Sequence, residues 1–151
     1  IRDSHRLNLL KDIPFSQKLP LEMMIPPMGQ AALGIEIVAG DPRLKEIALS
    51  LNDQQTYICT KVERDFISKI GVGCSAPVAC NATIKGDTIS LQVMVGYPDG
   101  TNILKETMTQ KLSNSDTLGF DLAQKMIQKG ALEIIKTAES LAYKNQMPQR
   151  L

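Results

Sequence analysis

The hydropathy pattern predicts an α+β fold: a three-stranded antiparallel sheet covered by helices, in the order α-β-β-β-α-α, over residues 56–151. Three observations carry this. Val78, Cys80, Ala82 and Ile84 alternate with Ala79, Asn81 and Thr83, as a half-buried strand requires. After the turn Lys85-Gly86-Asp87, Ile89, Leu91, Val93 and Val95 repeat the alternation. Helical stripes flank the pair, with Ile58, Cys59, Val62, Phe66 and Ile70 before it and Ala131, Ile134, Ile135, Ala138, Leu141 and Ala142 after it. Antiparallel strands of this kind bury one face beneath helices.

In chain order, Ile1 to Asp12 carries Leu7 and Leu10 beside charged residues and reads as the end of an amphipathic helix. His5 is the only histidine, and with no second imidazole or nearby cysteine it reads as a surface residue rather than a metal ligand. Ile13 to Met28 holds Pro14, Pro20, Pro26 and Pro27 and reads as an extended connector, with Met23, Met24 and Met28 expected to fill gaps in a core. Ala32 to Val38 is an apolar run of strand length, the pattern of a strand covered on both faces. Asp41-Pro42 then starts a helix, the aspartate as N-cap and the proline at its first position. Leu44, Ile47, Ala48 and Leu51 give that helix one apolar face. A strand followed by a helix implies an α/β neighbour, and too few other strands are present to supply one. Asn52 to Gln55 forms the boundary, dividing the chain into residues 1–55 and residues 56–151.

The next helix begins near Thr56 and places Cys59 in the core. Lys61, Glu63, Arg64 and Lys69 are assigned to its remaining surface. Glu63 and Arg64 there either bridge to another domain or form a solvated ion pair worth under about 1 kcal/mol. Beyond the first two strands, Pro98-Asp99-Gly100 turns the chain into a third strand over Thr101 to Thr109. Adjacent Ile103 and Leu104 leave its buried face open. Asn114 or Ser115 caps a helix in which Leu118, Leu122, Met126 and Ile127 share a side, and Gly130 separates it from the last one. The tail from Asn145 is polar and expected to fray.

Between the first helix and the first strand lies Ile70-Gly71-Val72-Gly73-Cys74-Ser75-Ala76-Pro77. Gly71 and Gly73 open backbone angles closed to other residues, and Pro77 bars helix continuation. Cys59 and Cys80 fall inside apolar patterns; Cys74 does not, and it is the candidate functional residue. It follows a helix C-terminus, where the macrodipole disfavours a thiolate, and no histidine lies close in sequence. A thiol modified once and then kept suits this place better than one that turns over.

Composition excludes several classes. A net charge of +1, with both signs mixed, gives no footprint for nucleic acid. No apolar run reaches the length of a membrane span, and the longest is broken by Glu36. Three cysteines cannot all pair and no CxxC occurs, which fits a reducing, cytoplasmic setting and offers no metal site.

Several stretches together resemble hydroxymethylbilane synthase (porphobilinogen deaminase). They are Leu19-Pro20-Leu21-Glu22 through Gly29-Gln30-Ala31-Ala32-Leu33-Gly34-Ile35-Glu36, Glu63-Arg64-Asp65-Phe66, Gly73-Cys74-Ser75-Ala76-Pro77-Val78-Ala79 and Gly96-Tyr97-Pro98-Asp99-Gly100. The similarity covers nearly the whole chain. The sequence departs from the family at Val72, where a second glycine usually stands beside Gly73, at Ala31, usually glycine, and at Val38, often basic.

The resemblance implies a three-domain transferase of tetrapyrrole (haem) biosynthesis. Such an enzyme condenses four porphobilinogen units, with loss of ammonia, on a covalent dipyrromethane primer and releases hydroxymethylbilane. It implies that Cys74 is the thioether anchor, within a cofactor-binding loop containing Gly71 and Gly73. Gln30 matches a position at the interdomain cleft, there to contact cofactor or substrate or to make a structural hydrogen bond. The family's catalytic aspartate and arginine cluster match nothing here. The chain, which begins at Ile1, therefore reads as a C-terminal fragment, catalytic residues none, inactive by itself. Residues 1–55 would be the tail of domain two and a returning strand-helix segment of domain one. Residues 56–151 would be the cofactor-anchoring domain. Its partners would be porphobilinogen and the missing N-terminal domains, or another copy of the chain. The alternative is a non-catalytic interaction domain with a redox-sensitive surface cysteine.

Overall fold

The computed structural model describes residues 17, 19–73 and 76–146. The expected helix end at Ile1 to Asp12, with His5, lies outside the described residues, as do Cys74 and Ser75. Two helices precede the sheet, α1 (Pro42–Leu51) and α2 (Gln54–Ile70). The strands are β1 (Val78–Lys85), β2 (Thr88–Val95) and β3 (Leu104–Lys111). A single 3-10 turn (Leu112–Asn114) leads into α3 (Ser115–Gln128) and α4 (Ala131–Gln146).

The sheet has the order β1-β2-β3, antiparallel throughout. Lys85 pairs with Thr88 across a two-residue turn, so Cys80 faces Val93 and Ala82 faces Leu91. This register puts Cys80, Ala82, Ile89, Leu91, Val93 and Val95 on one face, all buried, as the alternation requires. Beneath them pack Val62, Phe66 and Ile70 of α2 and Leu118, Leu122, Ala123 and Met126 of α3, with Ala131 and Ile135 of α4 closing the core. On the opposite face the polar residues pair across strands, as where Ser90 and Thr109 hydroxyls meet at 2.7 Å.

β3 starts three residues later than expected because Asp99 closes a turn first: its carboxylate accepts from the Thr101 amide at 2.9 Å and hydroxyl at 2.7 Å. Leu104 therefore turns inward while Ile103 remains exposed. Glu106 shares the inward face of this edge strand and accepts from Lys125 of α3, at 2.7 Å, and from Lys129, the residue that caps the C-terminus of α3. α3 crosses α2 at Gly119. A Cβ there would meet the Val62 carbonyl, and the Phe66 amide nitrogen at 2.8 Å, so only glycine permits this approach. Asn114 occupies the N-cap position of α3 but makes no side-chain cap bond. Asp116 in the first turn instead accepts from Lys61 of α2 at 3.1 Å.

Residues 32–38 depart from expectation. They form no strand and are largely solvent-exposed, Leu33 at 88% and Val38 at 71%. A lone strand leaves its amides and carbonyls without partners, and among the described residues no free sheet edge is paired with this segment. Asp41 does cap α1, accepting from the amides of Arg43 at 2.9 Å and Leu44 at 3.1 Å. α1 nevertheless buries no residue, and Ile47 and Leu51 are exposed. Met23, Met24 and Met28 do not fill a core either; Met23 is 72% exposed.

Candidate cofactor-anchoring site

The cysteine loop is held at both ends. Asp53 starts α2 by accepting from the Thr56 amide at 2.7 Å. Gly71 ends it in the left-handed region at φ 77°, its amide donating to the Ile67 carbonyl at 3.0 Å. Val72 follows with ordinary backbone angles and packs against the core, so Gly71 takes the turn that a β-branched side chain resists. Gly73 does not use positive φ. Its carbonyl accepts from the Ala76 amide at 3.2 Å, a bond between the described residues on either side of the cysteine. A Cβ at Gly71 or Gly73 would meet nothing within 4 Å, so neither glycine is required by a close packing contact.

The remaining thiols are placed otherwise. Cys80 is fully buried, its Sγ 4.0 Å from the Glu63 carbonyl oxygen. Burial, with the Glu63 charge as a lesser cause, pushes its thiol up to about 12. Cys59 is half-buried, and burial raises its pKa as well. Neither is a nucleophile near neutral pH.

Gln30 lies on a turn in which its own amide donates to Pro27 at 3.2 Å and the Ala32 amide donates to Gly29 at 3.0 Å. Its side chain is exposed. The turn needs left-handed backbone at both Gly29 (φ 66°) and Ala31 (φ 68°). At Ala31 that conformation costs on the order of 1 kcal/mol, and a glycine would remove the cost. The stem before the turn runs beside β1, with the Cys80 amide donating to Pro26 at 3.1 Å. Ile25 and Pro27 of this stem and Ala76, Pro77 and Val78 of the loop exit line one shallow apolar cavity of about 370 Å³. The stem of the Gln30 turn and the exit of the cysteine loop are thus neighbours.

Glu63, expected on the helix surface, is instead buried, 3% exposed. One carboxylate oxygen accepts from the Ala82 amide and the other from the Gly29 amide, each at 2.7 Å. Burial raises its pKa, and the two backbone donors pull the other way. Periodicity did contain the signal. Cys59, Glu63, Phe66 and Ile70 follow helical spacing, so Glu63 stands inside the apolar stripe of α2.

Residues 57–128, which hold α2, the loop, the sheet and α3, match the family model described as "Porphobilinogen deaminase, C-terminal domain". The chain matches the porphobilinogen deaminase family. Over nearly its whole length, that domain included, it is 59% identical over 153 residues to the porphobilinogen deaminase of Sulfurovum sp. (strain NBC37-1), a match covering 97% of this chain and 47% of that relative. The enzyme of the same name from Campylobacter hominis is 39% identical over 137 residues, covering 91% of this chain and 44% of the relative. The one from Aliarcobacter butzleri is 37% identical over 140 residues, covering 92% and 45%. The chain therefore spans about half the length of the curated porphobilinogen deaminases it matches. Among the described residues, no helix is long and apolar enough to cross a membrane, and no group of three or more His, Cys, Asp or Glu could hold a metal ion.

Proposed function

We propose that this chain is the C-terminal, cofactor-anchoring part of a hydroxymethylbilane synthase. That transferase would condense four porphobilinogen units, with loss of ammonia, on a dipyrromethane linked to Cys74. One observation carries the reading. The loop bearing Cys74 lies between a glycine-capped helix and the first strand of a domain that matches this family.

When bound, dipyrromethane supplies the free pyrrole α-carbon at which the product chain grows. The contribution of this chain is to hold it. Cys74 would give the sulfur, on a loop that contains Gly71 and Gly73. The core keeps the competing thiol of Cys80 away from alkylation, and partial burial raises the pKa of Cys59. The negative end of α2 suits a thioether, which has no charge to be disfavoured, better than a thiolate that must be regenerated in each cycle. Gln30, exposed on its turn, is assigned to contact with cofactor or substrate. Proton transfer and recognition of substrate carboxylates would fall to residues outside this chain, so the chain alone is expected to consume no porphobilinogen.

The test is a chimera in which these 151 residues replace the matching part of the Sulfurovum relative. The chimera is expected to consume porphobilinogen, and its Cys74→Ser variant to lose at least a thousandfold in rate while remaining folded. A folded C74S chimera with full activity would end the proposal.

A further inference from the structure

The Glu63 carboxylate has a place that the anchoring role of the loop does not explain. β1 is an edge strand, and its amides at Cys80 and Ala82 point away from β2. The first is satisfied by the Pro26 carbonyl at 3.1 Å and the second by a Glu63 oxygen at 2.7 Å. A side chain of α2 thus takes the place of a neighbouring strand, and its second oxygen reaches Gly29, 34 residues away in sequence. Pro26, and Glu22 through its carbonyl to Lys105 at 3.1 Å, hold only the stem. Glu63 holds the turn itself.

We propose that Glu63 is a positioning residue, a clasp that fixes the Gln30 turn to the β1 edge so that this turn and the cysteine loop keep one relative position. Its two partners are both backbone donors, so both oxygens must accept. The ionised carboxylate does this; a carboxamide cannot, because its NH2 would face an N–H. The side chain is buried, so solvent cannot replace a lost bond. The proposal uses the reading of Cys74 and Gln30 above only to say what is gained by holding them together. The clasp stands or falls on two amides whether or not Cys74 carries a cofactor.

Glu63→Gln keeps the shape and replaces one acceptor with a donor. In the 151-residue chain, hydrogen exchange of this variant should leave Leu91 and Val93 protected, showing an intact core. It should also leave the Cys80 amide protected through Pro26, while Gly29 and Ala82 exchange at least tenfold faster. Unchanged protection at Gly29 in a folded E63Q chain would overturn the clasp. Should E63Q fail to fold, the wild-type chain decides. The Gly29 and Ala82 amide resonances should then titrate together, with a single midpoint above the ordinary carboxylate value. Cys59 and Cys80, the titratable groups beside Glu63, stay protonated through that range and cannot mimic it. Amides that fail to shift, or shift with different midpoints, would also overturn the proposal.

Discussion

Cys80 and Glu63 touch each other, and their burial has opposite consequences. For the thiol, burial is protective. With its pKa pushed up to about 12, only about one part in ten thousand is thiolate at pH 8, so Cys80 does not react while the chain is folded. Labelling the native chain with a bulky thiol reagent should modify Cys74 alone, with Cys59 and Cys80 reacting on denaturation. Rapid native labelling of Cys80 would overturn the β1 register. For the carboxylate, burial is tolerable only because two backbone donors meet it. The alternation along β1 made the place of Cys80 readable from sequence, because period two leaves one choice of face. The place of Glu63 was harder to read. Its partners are amides of distant segments, and sequence carries no mark of a backbone donor.

At the scale of elements, the contact between α2 and α3 depends on Gly119. A methyl group at this position would enter the Val62 carbonyl and the Phe66 backbone, neither of which can move without breaking α2. Gly119→Ala should therefore destabilise the domain by about 3 kcal/mol, despite the better helix propensity of alanine. A chemical denaturation midpoint equal to wild type would contradict this crossing. The contact between β3 and α3 depends on charge. Lys125 and then Lys129 hold the Glu106 carboxyl below its ordinary value of 4.5. A carboxyl lowered in the folded state stabilises above the unfolded value and loses that contribution as pH falls through the folded one. Urea midpoints should therefore drop below about pH 4.5, and Glu106→Gln should make that drop shallower while lowering the midpoint at pH 7. Equal pH slopes in the two proteins would mean that the pair does not form.

β1, β2 and the helices from α2 onward were legible because each carries its own period, 2 or 3.6, over a full element, whereas the inward face of β3 mixes Leu104 and Met108 with Glu106 and Gln110. The α1 cap was legible because Asp41-Pro42 acts locally. Residues 32–38 show where that logic stops. Their apolar run describes a strand only where neighbours complete it, and here the run stays exposed. The three methionines before it read as core for the same reason and remain in solvent. At the candidate site, the glycine turn could be foreseen from the stiffness of Val72, whereas the neighbourhood of the Gln30 stem and the loop exit arises only in three dimensions.

For the whole molecule, the chain spans about half the length of its curated relatives, and residues 32–51 expose an apolar run and the apolar face of α1. In the proposed reading, the complete enzyme builds its primer with groups from both halves, and this half supplies the thiol. The basic residue Lys61 on α2 is already engaged by Asp65 and Asp116, each at 3.1 Å, so it is a poor recruiter of acidic pyrroles. The most direct measurement is intact-mass analysis with peptide mapping, applied to the chain produced alone and to the Sulfurovum chimera. The chain alone should have its unmodified mass, and the chimera should carry one two-pyrrole adduct on the peptide containing Cys74. An active chimera with Cys74 unmodified, or with the adduct on Cys59 or Cys80, would contradict the account.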